Sequence, residues 1–181
     1  MESIARLELQ VSPGNELPDQ TRREIVDLCT LAFEEDLESL LASFKGSVHV
    51  LGRLEPTLVT HALWVTRWLQ AGTGMLMRTA YVEAVATDPS FRGRGYATSV
   101  MHRIAEEIED YDLGGLAPFS VSYYARMGWE RWRGPLFIRT EDGLLPTPDE
   151  ENVMILRLPN TPHLDLDVPL SAEWRKGELW Y

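Results

Sequence analysis

Glu83 places a carboxylate inside YVEAVAT (81–87), a run that otherwise reads as an apolar strand. Beyond Asp88-Pro89 stands SFRGRGYAT (90–98), with two glycines and two arginines where a helix begins. A strand that feeds a glycine-rich loop and then a helix presents backbone N–H groups without intrahelical partners, and the helix dipole adds positive charge there. That arrangement binds phosphate. Gly93 and Gly95 permit close backbone approach, and Arg92 and Arg94 add forked donors in a chain whose net charge is −11. Arg92, Gly93, Arg94, Gly95, Tyr96 and Ala97 are therefore the candidate phosphate loop. A Walker Gly-Lys-Ser/Thr ending and the Gly-x-Gly-x-x-Gly spacing are both absent, which turns the reading away from P-loop and dinucleotide Rossmann sites.

An unpaired carboxylate facing a core is costly. Glu83 is thus expected at a wet edge or in a substrate cleft, as the partner of a substrate amine or as a base acting through water. Strand alternation puts Tyr81, Glu83 and Val85 on one face, with Val82, Ala84 and Ala86 on the other.

The elements that must hold these groups follow from periodicity. ARLELQV alternates and predicts a first strand. Ile25, Leu28, Cys29, Ala32 and Phe33 are spaced for a helix in LPDQTRREIVDLCTLAF, with Thr21 and Glu24 as a capping box and Asp19 as a competing cap. A second short helix is expected over 36–44. SVHVLGRLE and TLVTHALWVTRWLQ predict two strands joined at Glu55-Pro56, and 75–87 a third, stopped by Pro89. Ala97, Val100, Met101, Ile104, Ala105 and Ile108 form the apolar stripe of the helix after the loop. LGGLAPF predicts a strand, SVSYYARMGW a short helix ended by Gly128, and 129–140 and 152–158 further strands. The order predicts a mixed α/β sheet flanked by helices. From 159 onward Pro and acid dominate, and Trp174 and Trp180 argue that this tail is ordered.

The 181 residues suit one domain over 1–181, with the tail at 159–181 covering it. No apolar run approaches a membrane span, and MESIARLELQ lacks a signal-peptide pattern. A single cysteine, Cys29, fits a reducing cytoplasm and is expected in the core. The acidity disfavours nucleic acid and anionic membrane and favours a cationic partner. His49, His61, His102 and His163 are dispersed, and no Cys/His spacing suggests a metal.

RGRGYA between its strand and its amphipathic helix, followed later by YYARMGW, resembles the acetyl-CoA loop and the Tyr-x-x-x-Gly-Trp segment of the GNAT superfamily of N-acetyltransferases. AFEED, YVEAVA, YARMGW, PTPDEE and EWRKGELW are similar, in that order, to segments of the aminoglycoside 2'-N-acetyltransferases. Glu178 stands where those proteins have Asp, and LAPFSVS replaces small polar residues near Ala117 and Pro118.

The resemblance implies a GNAT fold, a mostly antiparallel central sheet with helices on both faces. It also implies acetyl transfer from acetyl-CoA to an amino group of an aminoglycoside, giving antibiotic resistance. Tyr124 would protonate the leaving thiolate; otherwise it is a core aromatic. A backbone N–H among Val85, Ala86 and Thr87 would stabilise the oxyanion, and these residues would pair with the pantetheine arm. A bulge near Glu83 would splay the strands to admit that arm. Asp36, Glu83, Glu150 or Glu151, Glu178 and the Tyr181 carboxylate would face the cationic sugar. Trp180 would either stack on the sugar or pack the tail onto the core. GNAT proteins are often homodimers, and a strand near the C-terminus could mediate one here. Acetylation of another amine, such as a polyamine, metabolite or protein N-terminus, and an acyl-CoA-binding module without catalysis are the alternatives.

Overall fold

The computed structural model describes residues 6–147, 151–176 and 180. The chain divides into two compact units, Met1–Val65 with Glu83–Glu106, and Thr66–Val82 with Glu107–Tyr181.

In the first unit, β1 (Glu8–Pro13) pairs antiparallel with β2 (Val48–Leu54). β2 pairs antiparallel with the first part of β3 (Thr57–Ala71), with a register shift at Gly52/Arg53. Helix α1 (Asp19–Phe33) lays Ile25, Leu28 and Cys29 against Leu51, Leu58 and Ala86, with Leu17 and Leu37 completing the cluster. Helix α2 (Glu38–Ser43) adds Leu40 and Leu41. Burying such side chains stabilises by about 1.5–3 kcal/mol each, which is what holds α1 on the strands. The helix after the glycine loop, α3 (Tyr96–Glu107), buries Val100, Met101 and Ile104 on its expected stripe.

The capping box is not formed. Pro18 occupies the N-cap at φ −59°, and no side chain caps α1. Thr21 then lies inside the first turn, too late to reach back to the leading amides, while Glu24 forms an ion pair with Arg53.

The second unit is built on strand pairs around the rest of β3 and the first part of β4 (Leu76–Thr87). β4 pairs parallel with β5 (Leu113–Leu116), and β5 antiparallel with β9 (Met154–Arg157), which also takes β6 (Glu130–Arg131). On the other side β3 pairs with β10 (Leu170–Glu173), and β10 parallel with β7 (Leu136–Thr140), which forms a hairpin with β8 (Gly143–Pro146). The strand order is β6-β9-β5-β4-β3-β10-β7-β8. The short helix α4 is Val121–Ala125. This is the mixed, mostly antiparallel α/β fold that the residue pattern and the resemblance implied.

Besides β8, which was not expected, three elements differ from expectation. The single strand over 129–140 is two, because the Arg133 and Gly134 N–H groups both donate to Leu166 O and turn the chain. A Cβ on Gly134 would stand 1.9 Å from Val168 O, so only glycine fits that approach. LGGLAPF is extended only through Leu116. The tail contributes β10, an inner strand whose alternating residues LSAE are too few to announce it; Leu170 and Ala172 are fully buried there.

Candidate active site

The glycine loop is shaped by backbone conformation. Asp88 N–H donates to Val59 O at 2.9 Å, and the Asp88 carboxylate accepts from Ser90 N–H at 2.8 Å. These bonds end β4 and start a single 3-10 turn, Pro89–Phe91. Gly93 and Gly95 then take φ +76° and +79°, values an L side chain resists, and a Cβ on either would meet nothing within 4 Å. Ser99 N–H bonds Gly95 O at 3.0 Å as α3 begins. The amides ahead of it belong to the first turn, whose N–H groups no helical carbonyl can serve. The loop thus has open space at its glycines and donors at its helix end. Arg92 sends Nη2 to Ala32 O at 2.9 Å, near the end of α1. Arg94 lies with its guanidinium carbon 5.2 Å from the Phe91 ring centre.

The segment 83–87 sits just before this loop. The β4–β5 ladder ends at Val82, and no described strand takes up that edge from Glu83 onward. Glu83 is buried at 9 % exposure, so the wet-edge alternative is excluded. Ala84 has φ +50°, one of two non-glycine residues with positive φ among the described residues. Such a conformation costs roughly 1–2 kcal/mol. It interrupts the simple alternation expected of 81–86: Ala84 and Val85 are both half-buried, while Ala86 is buried. Thr60 Oγ1 fixes the next stretch by donating to Ala86 O at 3.0 Å, and lies 2.9 Å from Thr87 Oγ1.

Two histidines that looked unrelated in sequence meet beneath this strand. His49 Nδ1 and His61 Nε2 are 2.9 Å apart, and Ser47 Oγ is 3.0 Å from His49 Nε2. His61 Nδ1 is 3.1 Å from Ala84 O and 3.8 Å from Cys29 Sγ. Burial holds the His49 pKa down to about 4, helped by Arg22. It holds fully buried His61 down to about 3, helped by His49. Burial also raises the Cys29 thiol to about 12, so it stays protonated and serves as core. The only sequence signal for the pair was parity, since His49 and His61 point to the face that carries Leu51, whose register partner is His61. Ser47 and His49 line a cavity of about 730 Å³ together with Gly14, Arg22, Glu38 and Lys45.

Asp36 accepts the Glu38 N–H at 3.0 Å and so helps turn the chain into α2.

In the second unit, Ser120 Oγ accepts Tyr123 N–H at 3.3 Å and caps α4, and Gly128 at φ +87° ends the turn after it. Tyr124 is 2 % exposed. Its ring meets Tyr123, Phe119 and Trp129 edge-on at 5.0, 5.3 and 6.2 Å. Burial, with Tyr123 beside it, raises its pKa well above the ordinary phenol value, so the hydroxyl keeps its proton. Phe119 is 70 % exposed.

Trp180 is buried, and its carbonyl accepts the Tyr81 hydroxyl at 2.5 Å. The Arg67 guanidinium lies 5.0 Å from the Tyr81 ring and 5.8 Å from the Trp180 ring. Of the two roles expected for Trp180, packing of the tail is the one formed; the exposed sugar platform is not. Glu151 is half-buried, whereas Glu150, Glu178 and Tyr181 fall outside the described residues. Among the described residues no group of three or more His, Cys, Asp or Glu could hold a metal, and no helix is long and apolar enough to cross a membrane.

The strand, glycine loop and helix of the first unit, with the strand order of the second, define a GNAT acetyltransferase fold. Residues 17–132 match the acetyltransferase (GNAT) domain, and the chain belongs to that family. A relative from Mycolicibacterium fortuitum, an aminoglycoside 2'-N-acetyltransferase, is 31 % identical over 175 residues, covering 92 % of this chain and 88 % of its own. Among solved structures, the Escherichia coli GNAT family N-acetyltransferase YhbS, in complex with CoA, superposes with TM-score 0.64 at 16 % identity, covering 100 % of both chains. Eis1 from Mycobacterium abscessus gives TM-score 0.59 at 16 % identity over 72 % of this chain, which spans about a third (32 %) of that protein.

Proposed function

We propose that this chain transfers the acetyl group of acetyl-CoA to an amino group of an aminoglycoside, of the 2'-N type. The observation that carries the reading is the segment 83–87: a buried glutamate, a left-handed alanine, and an open strand edge running into the glycine loop. The similarity to the M. fortuitum enzyme supports the acceptor class, as does a net charge of −11, which attracts polycations.

In this reading the amides of Gly93–Ala97 and the Arg92 and Arg94 guanidinium groups hold the CoA pyrophosphate. The pantetheine arm lies along the free edge of 85–87, as an added strand would. Glu83, through water, removes a proton from the substrate ammonium. The freed nitrogen lone pair attacks the thioester carbon, and the carbonyl π pair moves to oxygen, where the Val85 N–H stabilises it. Collapse re-forms the carbonyl and breaks the C–S bond. The departing sulfur takes the Tyr124 proton, giving CoA thiol, and the nitrogen gives up its second proton through water, leaving the neutral amide; solvent reprotonates Tyr124 and takes the proton from Glu83, with one proton released per turnover. Asp36, Glu150 or Glu151, and Glu178 are the acids proposed for the cationic sugar, Glu150 and Glu178 lying outside the described residues, and the tail anchored by Trp180 is proposed to cover it. Such a protein works in the cytoplasm, where acetyl-CoA is available.

Thiol release should be followed with acetyl-CoA and matched aminoglycosides carrying a 2'-amine or a 2'-hydroxyl. Turnover confined to the amine is expected; silence on every member sinks the acceptor assignment. One observation favours a second reading. Phe119, exposed and stacked on Tyr123 and Tyr124, stands in the segment that departs from the aminoglycoside enzymes. An apolar face there suits a less polar amine, and turnover of an aromatic or aliphatic monoamine alone would select it.

A further inference from the structure

The chain Ser47–His49–His61–Ala84 O has a single direction. Ala84 O can only accept, so His61 Nδ1, 3.1 Å away, carries the hydrogen. A neutral His61 then presents Nε2 as an acceptor, and the hydrogen in the 2.9 Å contact belongs to His49 Nδ1. His49 Nε2 must accept in turn, and the Ser47 hydroxyl, 3.0 Å away, donates to it. Both histidines are buried and held far below their ordinary pKa, so the neutral chain persists at physiological pH. Cys29, a protonated thiol 3.8 Å from Nδ1, is a weaker partner than the carbonyl.

This chain ends on the one strained peptide of β4. Ala84 adopts φ +50°, and its carbonyl belongs to the same planar unit as the Val85 N–H. In a trans peptide those two groups point in opposite directions. Whatever fixes the Ala84 carbonyl therefore fixes the Val85 N–H, aimed away from His61. An oxyanion donor is effective only when it is aimed before the charge develops. We infer that His61 is a positioning residue for acetyl transfer, anchoring the Ala84 carbonyl so that the Val85 N–H points at the thioester oxygen, with His49 and Ser47 setting the His61 tautomer. This rests on the reading of Val85 as oxyanion donor given above.

The probe is acetyl-CoA labelled with ¹³C at the carbonyl, its stretch followed by isotope-edited infrared spectroscopy on the full chain, alongside kcat and KM. Binding to the wild type should shift the stretch to lower wavenumber. His61→Asn keeps a donor at the Nδ position and should keep the shift. His61→Leu should lose the shift and lower kcat roughly tenfold or more, short of the 10²–10³ lost when such a donor is deleted, with KM for acetyl-CoA unchanged. If His61→Leu does not fold, His61→Gln, whose amide sits at the Nε position, replaces it with the same expectation. A shift retained in the Leu or Gln variant overturns the inference and leaves the proposed function standing. Acetyl-CoA that fails to bind the wild type, or binds without any shift, overturns the reading of the site together with the inference.

Discussion

The glycine loop and the C-terminal tail make opposite use of sequence. Gly93 and Gly95 act through their own φ angles, +76° and +79°, and contact nothing where a side chain would be. Trp180 acts only through what surrounds it, Tyr81 and Arg67, about a hundred positions earlier. One region is specified by residues adjacent in the chain, the other by partners that only folding supplies. A change in the first should therefore cost function with little stability, and a change in the second should do the reverse.

The largest expected effect is on chemistry. Tyr124→Phe should lower kcat by roughly 10²–10⁴, the usual worth of a positioned acid, with CoA affinity unchanged by calorimetry. Unaltered kcat would return Tyr124 to the role of a core aromatic. Trp180→Ala should destabilise by about 3–5 kcal/mol in urea unfolding, the cost typical of emptying a buried aromatic site. Trp174→Ala, at a position 55 % exposed, should stay within about 0.5 kcal/mol. Equal losses for the two would dissolve the contrast. Gly95→Glu should weaken CoA binding by roughly 100-fold or more, since a left-handed glycine is replaced and a negative charge is set against phosphate. Its thermal midpoint should fall by only a few degrees, because the strain is about 1–2 kcal/mol.

The smallest effect is a slope. His49 and His61 have folded pKa values depressed to about 4 and about 3. Below their ordinary value near 6.5 the unfolded chain binds protons that the folded chain refuses. Stability is therefore fully present above about pH 6.5 and falls as pH drops toward 4, by up to about 1.4 kcal/mol per pH unit for each histidine. Replacing either with a neutral residue should flatten that slope in denaturant titrations at stepped pH. A slope unchanged by both replacements would place its origin in the carboxylates.

The strand, glycine loop and α3 were legible because glycine spacing and apolar period act within a turn or two. The α1 cap misled because the helix starts three residues earlier than a Thr21 cap would set it, with Pro18 at the N-cap position. β10 was invisible because the alternation of LSAE runs for only four residues and becomes a strand only between β3 and β7. The pairing of His49 with His61 likewise depends on the β2–β3 register, which no single strand records.

The amino-acid order by itself determined the loop's backbone shape, the stripe of α3, the absence of a Walker or Rossmann spacing, and the resemblance to acetyltransferases. These are short-range properties, set by φ preferences and by periodicity. The tertiary structure alone decided that Glu83 is buried, that the carbonyl of left-handed Ala84 meets a histidine from another strand, and that Trp180 is core. Burial and cross-strand hydrogen bonds join residues far apart in the chain, and their energies exist only once those residues have been brought together.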